Sequence, residues 1–183
     1  MAKLDLKTHR ITSVQEFFFD TSVWLLLYGN LGNYNKADQS FYTKAFQEIV
    51  EKQSCILITS QVISEITNVL LTKGFKDFVV SNRLDINVTN KKRDFVGTKE
   101  YLNTVGFIST VIEQILGLRN ILRLNDSFSN IDIPKILTNF QKIDYNDCYY
   151  LELLSTRKQG TILVTNDGDF DKISTTVDIY TNK

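Results

Sequence analysis

Three short apolar runs limit most tightly what this chain can fold into. FFF at 17–19, CILIT at 55–59 and TILVT at 161–165 are apolar or β-branched along almost their whole length. A strand with one wet face alternates apolar and polar residues, whereas a run apolar throughout belongs in a sheet covered on both faces. Helical patterns follow the first two runs directly, as TSVWLLLYGN and SQVISEITNVLLTKG. Strands alternating with helices predict a parallel α/β sheet with helices front and back.

The rest of the chain extends this pattern. Residues 35–53 space Ala37, Phe41, Ala45, Phe46, Ile49 and Val50 along one helical face. Ser60 is the expected N-cap of the next helix and Gly74 its expected stop. Residues 75–117 stay helical in pattern, interrupted by Gly97 and Gly106. LRNILRL (118–124) and TTVDIYT (175–181) are further strand candidates. Asp132 and Pro134 open a short helix, Pro at its favoured early position. A longer one, YNDCYYLELLSTRKQG, begins after Asp144 and stops at Gly160. At 183 residues the expectation is one domain, 1–183. It has an N-terminal extension over about 1–14 and a helical insertion over about 72–120.

Composition removes several kinds of chemistry. His9 is the only histidine, which argues against Ser-His-Asp triads, Cys-His pairs and multi-histidine zinc sites. Cys55 and Cys148 make no disulfide framework and fit a reducing cytoplasm. No run approaches the roughly 20 apolar residues of a membrane span, and the N-terminus has no signal-peptide core. The expectation is a soluble, cytoplasmic protein with no membrane association. Net charge is zero, so any contact with nucleic acid rests on local patches or bound cations.

Carboxylates remain. In a parallel sheet, ligands gather beyond the carboxyl ends of the strands. Asp20 closes the first run, and Asp167 follows TILVT by two residues. Asp147 stands three, four and seven residues before Tyr150, Leu151 and Leu154, on the inward row of its helix. Glu65 falls about 40° outside the apolar arc of its own helix, at the boundary. Each has a plainer role when taken alone: helix cap, turn former or solvated surface. Together they converge on one edge. Like charges about 4 Å apart repel by on the order of 4 kcal/mol at an effective dielectric of 20. Such a cluster calls for a cation, and oxygen donors without histidine select Mg²⁺ or Mn²⁺. Ions of this kind activate water against phosphodiesters.

These motifs resemble the PIN-domain nucleases. FFFDTSVWLLL matches an Asp after a hydrophobic strand, with Thr or Ser opening a helix. ISEITNVL matches a Glu in an amphipathic helix, and IDYNDCYYLELLSTRKQG an Asp heading a helix. ILVTNDGDF matches a strand followed by T-x-D-x-D-F. Within that family the chain is most like the VapC-like ribonuclease toxins of bacterial type II toxin–antitoxin systems. It is longer than the compact toxins, the surplus lying at about 72–120. The resemblance implies a three-layer α/β/α fold around a mostly parallel sheet of four to five strands. It also implies Mg²⁺-dependent endoribonuclease activity, a small antitoxin partner and a possible homodimer. Asp20, Glu65, Asp147 and Asp167 would be the acidic core, with Asp20, Asp147, Asp167 and the auxiliary Asp169 toward metal. Thr21, Ser22, Thr165 and Asn166 would hold ligands or phosphate. Lys91, Lys92 and Arg93, with Arg119 and Arg123, are candidates for RNA backbone contacts. A non-catalytic PIN-like module binding RNA or protein is the alternative. A haloacid-dehalogenase-like phosphatase would need an Asp where Ser22 stands.

Overall fold

A computed structural model describes residues 3–4, 9–31, 35–157 and 161–182. Among the described residues six strands form one sheet: β1 (Lys3–Leu4), β2 (Glu16–Phe19), β3 (Cys55–Ile58), β4 (Ile121–Arg123), β5 (Thr161–Val164) and β6 (Asp178–Tyr180). Their order is β1-β6-β5-β2-β3-β4, and every pair is parallel. The strand beyond the expected four to five is the two-residue β1, in the stretch read as an extension.

The described α-helices between them are α1 (Thr21–Tyr28), α2 (Lys36–Glu51), α3 (Ser60–Ser81), α4 (Lys99–Leu116), α5 (Ile133–Phe140) and α6 (Tyr145–Ser155). Successive strand residues point to opposite faces, and β2 shows what each face meets. The Phe18 ring lies 5.0 Å from Tyr150 of α6. Phe19, on the other face, lies 5.1 Å from Trp24 of α1 and 6.0 Å from Phe46 of α2. Helices thus cover both faces, in the three-layer α/β/α arrangement of a PIN-like fold. Phe17, Phe18, Ile56, Leu57, Leu163 and Val164 have no exposed surface, the burial their uninterrupted apolar runs require.

The connections reverse direction at β2. From β2 the chain winds outward through β3 to β4, then crosses back to place β5 and β6 on the other side of β2. The carboxyl edge where winding reverses is the usual ligand site of open α/β sheets. The register sets Phe19 beside Val164 and Phe18 beside Leu57. Residues just after β2, β3 and β5 therefore share one rim.

Local caps follow side-chain chemistry, with two departures. Asn35, Asp132 and Asp144 cap α2, α5 and α6 as their oxygens permit. For α3 the cap is Thr59, whose Oγ1 accepts from the Val62 amide, and Ser60 is the first helical residue. Gly74 does not end α3, which runs on to Ser81. A Cβ at Gly74 would lie 2.5 Å from the Thr104 side chain on α4, so this glycine serves close helix packing. Likewise α4 runs through Gly106, while Gly97 takes φ +89° before α4 begins. Phe95, in a π-helical turn at Lys91–Phe95, packs among Phe75, Phe78 and Tyr101. This aromatic knot clips the far end of α3 to α4. Gly160, the expected stop after α6, lies outside the described residues.

Candidate active site

Asp20 follows β2, and its amide donates to the Val164 carbonyl at 3.0 Å, tying it to β5. It occupies the N-cap position of α1, yet its side chain makes no capping bond. Instead Oδ2 accepts from Ser22 Oγ at 2.7 Å and Thr165 Oγ1 at 3.0 Å. Only 6% of Asp20 is exposed. Burial raises its proton affinity above the ordinary carboxylate range; the two hydroxyls oppose that and Glu65 adds to it.

Thr165 does double duty one residue after β5. Its hydroxyl donates to Asp20 and accepts from the Asp167 amide at 3.0 Å. Ser22 likewise donates to Asp20 and accepts from the Asn166 amide at 3.1 Å. The NDGD turn is therefore pinned to the first acid by two hydroxyls, and Asp167 Oδ1 closes the turn on the Asp169 amide at 2.8 Å. Asn166 Oδ1 is buried with no partner. Asp169 is half-exposed and pairs with Lys172 at 2.7 Å.

Asp147 enters from the first turn of α6. It is buried, and no described residue hydrogen-bonds or ion-pairs with its carboxylate. Burial first, then the charges of Asp20, Asp167, Asp144 and Glu65, push its pKa up to about 8. Glu65 arrives from α3, half-buried as its position at the edge of the apolar arc predicts. Thr21 Oγ1 donates to its Oε2 and Asn146 Nδ2 to its Oε1. Beside them the buried Tyr150 phenol is raised well above its usual range, by burial and then by Glu65.

The structure thus brings Asp20, Glu65, Asp147 and Asp167 to one rim, with Thr21, Ser22, Thr165 and Asn166 interlaced. The basic cluster stands apart, on the α3–α4 arm. Arg93 is engaged by Asp94 at 2.6 Å, and Lys91 reaches Thr72 at 3.4 Å. Asn146 and Gln61 are site residues that the motifs do not reveal. Asn146 adjoins Asp147 in YND, but only folding shows which carboxylate its amide meets.

The donor set is all oxygen. Among the described residues no Lys or Arg ion-pairs with any of the four acids. As they stand, no three metal-binding side chains among the described residues are grouped closely enough to enclose an ion. By donor type and uncompensated charge the residues fit a hard divalent cation, and the buried unpartnered Asn166 oxygen adds a further oxygen at the rim.

Fold and site together define a parallel PIN-like α/β/α protein with an acid cluster at the switch point of its sheet. Among solved structures the chain is similar to VapBC2 from Rickettsia felis, determined bound to a DNA fragment from their promoter. The TM-score is 0.51 at 15% identity, covering 92% of this chain and 99% of that one. At that identity the likeness is one of fold. No family model matches the chain, and no curated protein sequence does. No described helix is long and apolar enough to cross a membrane.

Proposed function

We propose that this protein is a metal-dependent endoribonuclease and the toxin of a toxin–antitoxin pair. One observation carries the reading: four carboxylates from separate elements share the switch-point rim, and no Lys or Arg among the described residues ion-pairs with them. Asp147 shows the strain, since its charge is held off until about pH 8. A structural ion pair or a solvated surface would leave no such frustration. The fold likeness to VapBC2 supports the toxin assignment, and by that analogy a small antitoxin would be the partner.

Asp20, Asp147 and Asp167 would hold Mg²⁺ or Mn²⁺, with Asp169 within the same turn. A divalent ion there supplies an activated water and neutralises charge on the scissile phosphate. The chain's own residues do the positioning. Ser22 and Thr165 fix the Asp20 carboxylate, and Thr165 fixes the start of the Asp167 turn. Thr21 holds Glu65 at the rim, where it can orient water. Positive charge entering the cluster favours ionised Asp147, so metal and proton compete there. Exposed Lys92 and half-buried Lys91, on the α3–α4 arm, are the candidates for RNA backbone contact.

The test is cleavage of a mixed structured-RNA panel by purified protein with Mg²⁺, Mn²⁺ or EDTA, beside Asp147→Ala. Metal-dependent cutting that the variant lacks is the expected result. Folded protein that binds RNA in EDTA and cuts nothing with either metal would overturn the assignment in favour of a binding module.

A further inference from the structure

Glu65 is held differently from the other acids. Each of its oxygens takes one side-chain donor, Thr21 Oγ1 on Oε2 and Asn146 Nδ2 on Oε1. Behind Asn146 stands Gln61, one turn before Glu65 on α3, whose Nε2 donates to Asn146 Oδ1 at 2.5 Å. Glu65, which only accepts when ionised, calls for the amide's NH₂, and a donor on Oδ1 reinforces that orientation.

We propose that Asn146 is a positioning residue for Glu65, its amide orientation reinforced by Gln61; the functional side of this rests on the nuclease reading. Asn146 and Asp147 are neighbours on the first turn of α6. One side chain sets the carboxylate arriving from α3 while the other joins the acid cluster. The same helix turn thereby fixes the separation of two acids. Partners of this kind behind ligating groups commonly contribute about 10–100-fold to metal affinity.

The chain of donors makes an unusual demand on Gln61→Glu. A carboxylate at 61 cannot donate, so Asn146 loses the donor on its Oδ1 and its NH₂ is drawn to two competing carboxylates, loosening its hold on Glu65. The added negative charge alone would tighten cation binding; the relay instead requires that it loosen.

Two readouts test this. In metal-free ¹⁵N-labelled protein, the Asn146 side-chain NH₂ signals should shift in both Gln61→Glu and Glu65→Ala. In calorimetry with Mn²⁺, Asn146→Ala should weaken binding about tenfold or more. Gln61→Glu should weaken it in the same direction, and Asn146→Ala should add little in a Glu65→Ala background. NH₂ signals unmoved in both variants, or Mn²⁺ affinity in Gln61→Glu equal to or above wild type, would overturn the proposal. Signals that respond in a wild-type background that neither binds Mn²⁺ nor cuts RNA would uphold the Asn146–Glu65 contact and sink the nuclease reading. Circular dichroism of each variant separates these outcomes from misfolding.

Discussion

Asp147→Asn should stabilise the metal-free protein while abolishing cleavage, and the gain should grow with pH. Asn has the shape of Asp without its charge. Asp147 is only 9% exposed, and burial with four neighbouring carboxylates lifts its pKa to about 8. An unfolded Asp titrates near about 3.9. Below about pH 4 the group is protonated in both states and contributes no pH dependence. From there to about pH 8 the native state binds more protons than the unfolded chain, so stability falls as pH rises. Above about pH 8 both states are ionised and the full penalty stands. About four decades of proton affinity correspond to a ceiling of about 5 kcal/mol. Relaxation and the effective dielectric of real interiors reduce this, leaving an expected gain of about 2 kcal/mol at about pH 8. For a chain of this size that is about 4–8 °C in Tm. The assay is thermal unfolding of both proteins in EDTA across about pH 4 to 8. A difference flat in pH, or a variant less stable than wild type at the alkaline end, would refute the electrostatic account. Added Mg²⁺ should narrow the gap by stabilising wild type alone.

Three further outcomes follow from contacts elsewhere. Thr165→Val removes the buried hydroxyl shared by Asp20 and the Asp167 amide. It should lower stability by about 1–3 kcal/mol in denaturant titrations and reduce cleavage at saturating RNA. Gly74→Ala should be better tolerated, by about 1 kcal/mol, when Thr104→Ala opens the space its Cβ would enter; equal effects in both backgrounds would refute the close-packing role of Gly74. Lys91→Ala with Lys92→Ala should weaken RNA binding by an Asp147→Asn protein and flatten its salt dependence by about 1–2 in log–log slope; an unchanged slope would remove the arm from the RNA path.

Much of the fold was legible because burial writes itself into composition. FFF, CILIT and TILVT could be apolar throughout only between two layers of helices. The helix openings at Asp132 and Asp144 follow from local hydrogen bonding alone. Gly74 was misread because a glycine signals either a stop or a close approach, and only the position of Thr104 distinguishes them. β1 was missed because two residues carry no period.

The acids divide along the same line. The residues by themselves determined that Asp20 and Asp167 close strands, that Asp147 faces inward and that Glu65 lies at a boundary, since each follows from spacing along one element. Only the tertiary structure decided that β5 lies beside β2, because strand order depends on long-range pairing that no local pattern encodes. That one adjacency brings Thr165 to Asp20 and sets the NDGD turn against α1. The partners of Glu65 were hidden for the same reason: Thr21 and Asn146 come from two other helices, and a hydrogen bond between side chains 81 residues apart leaves no mark in either neighbourhood.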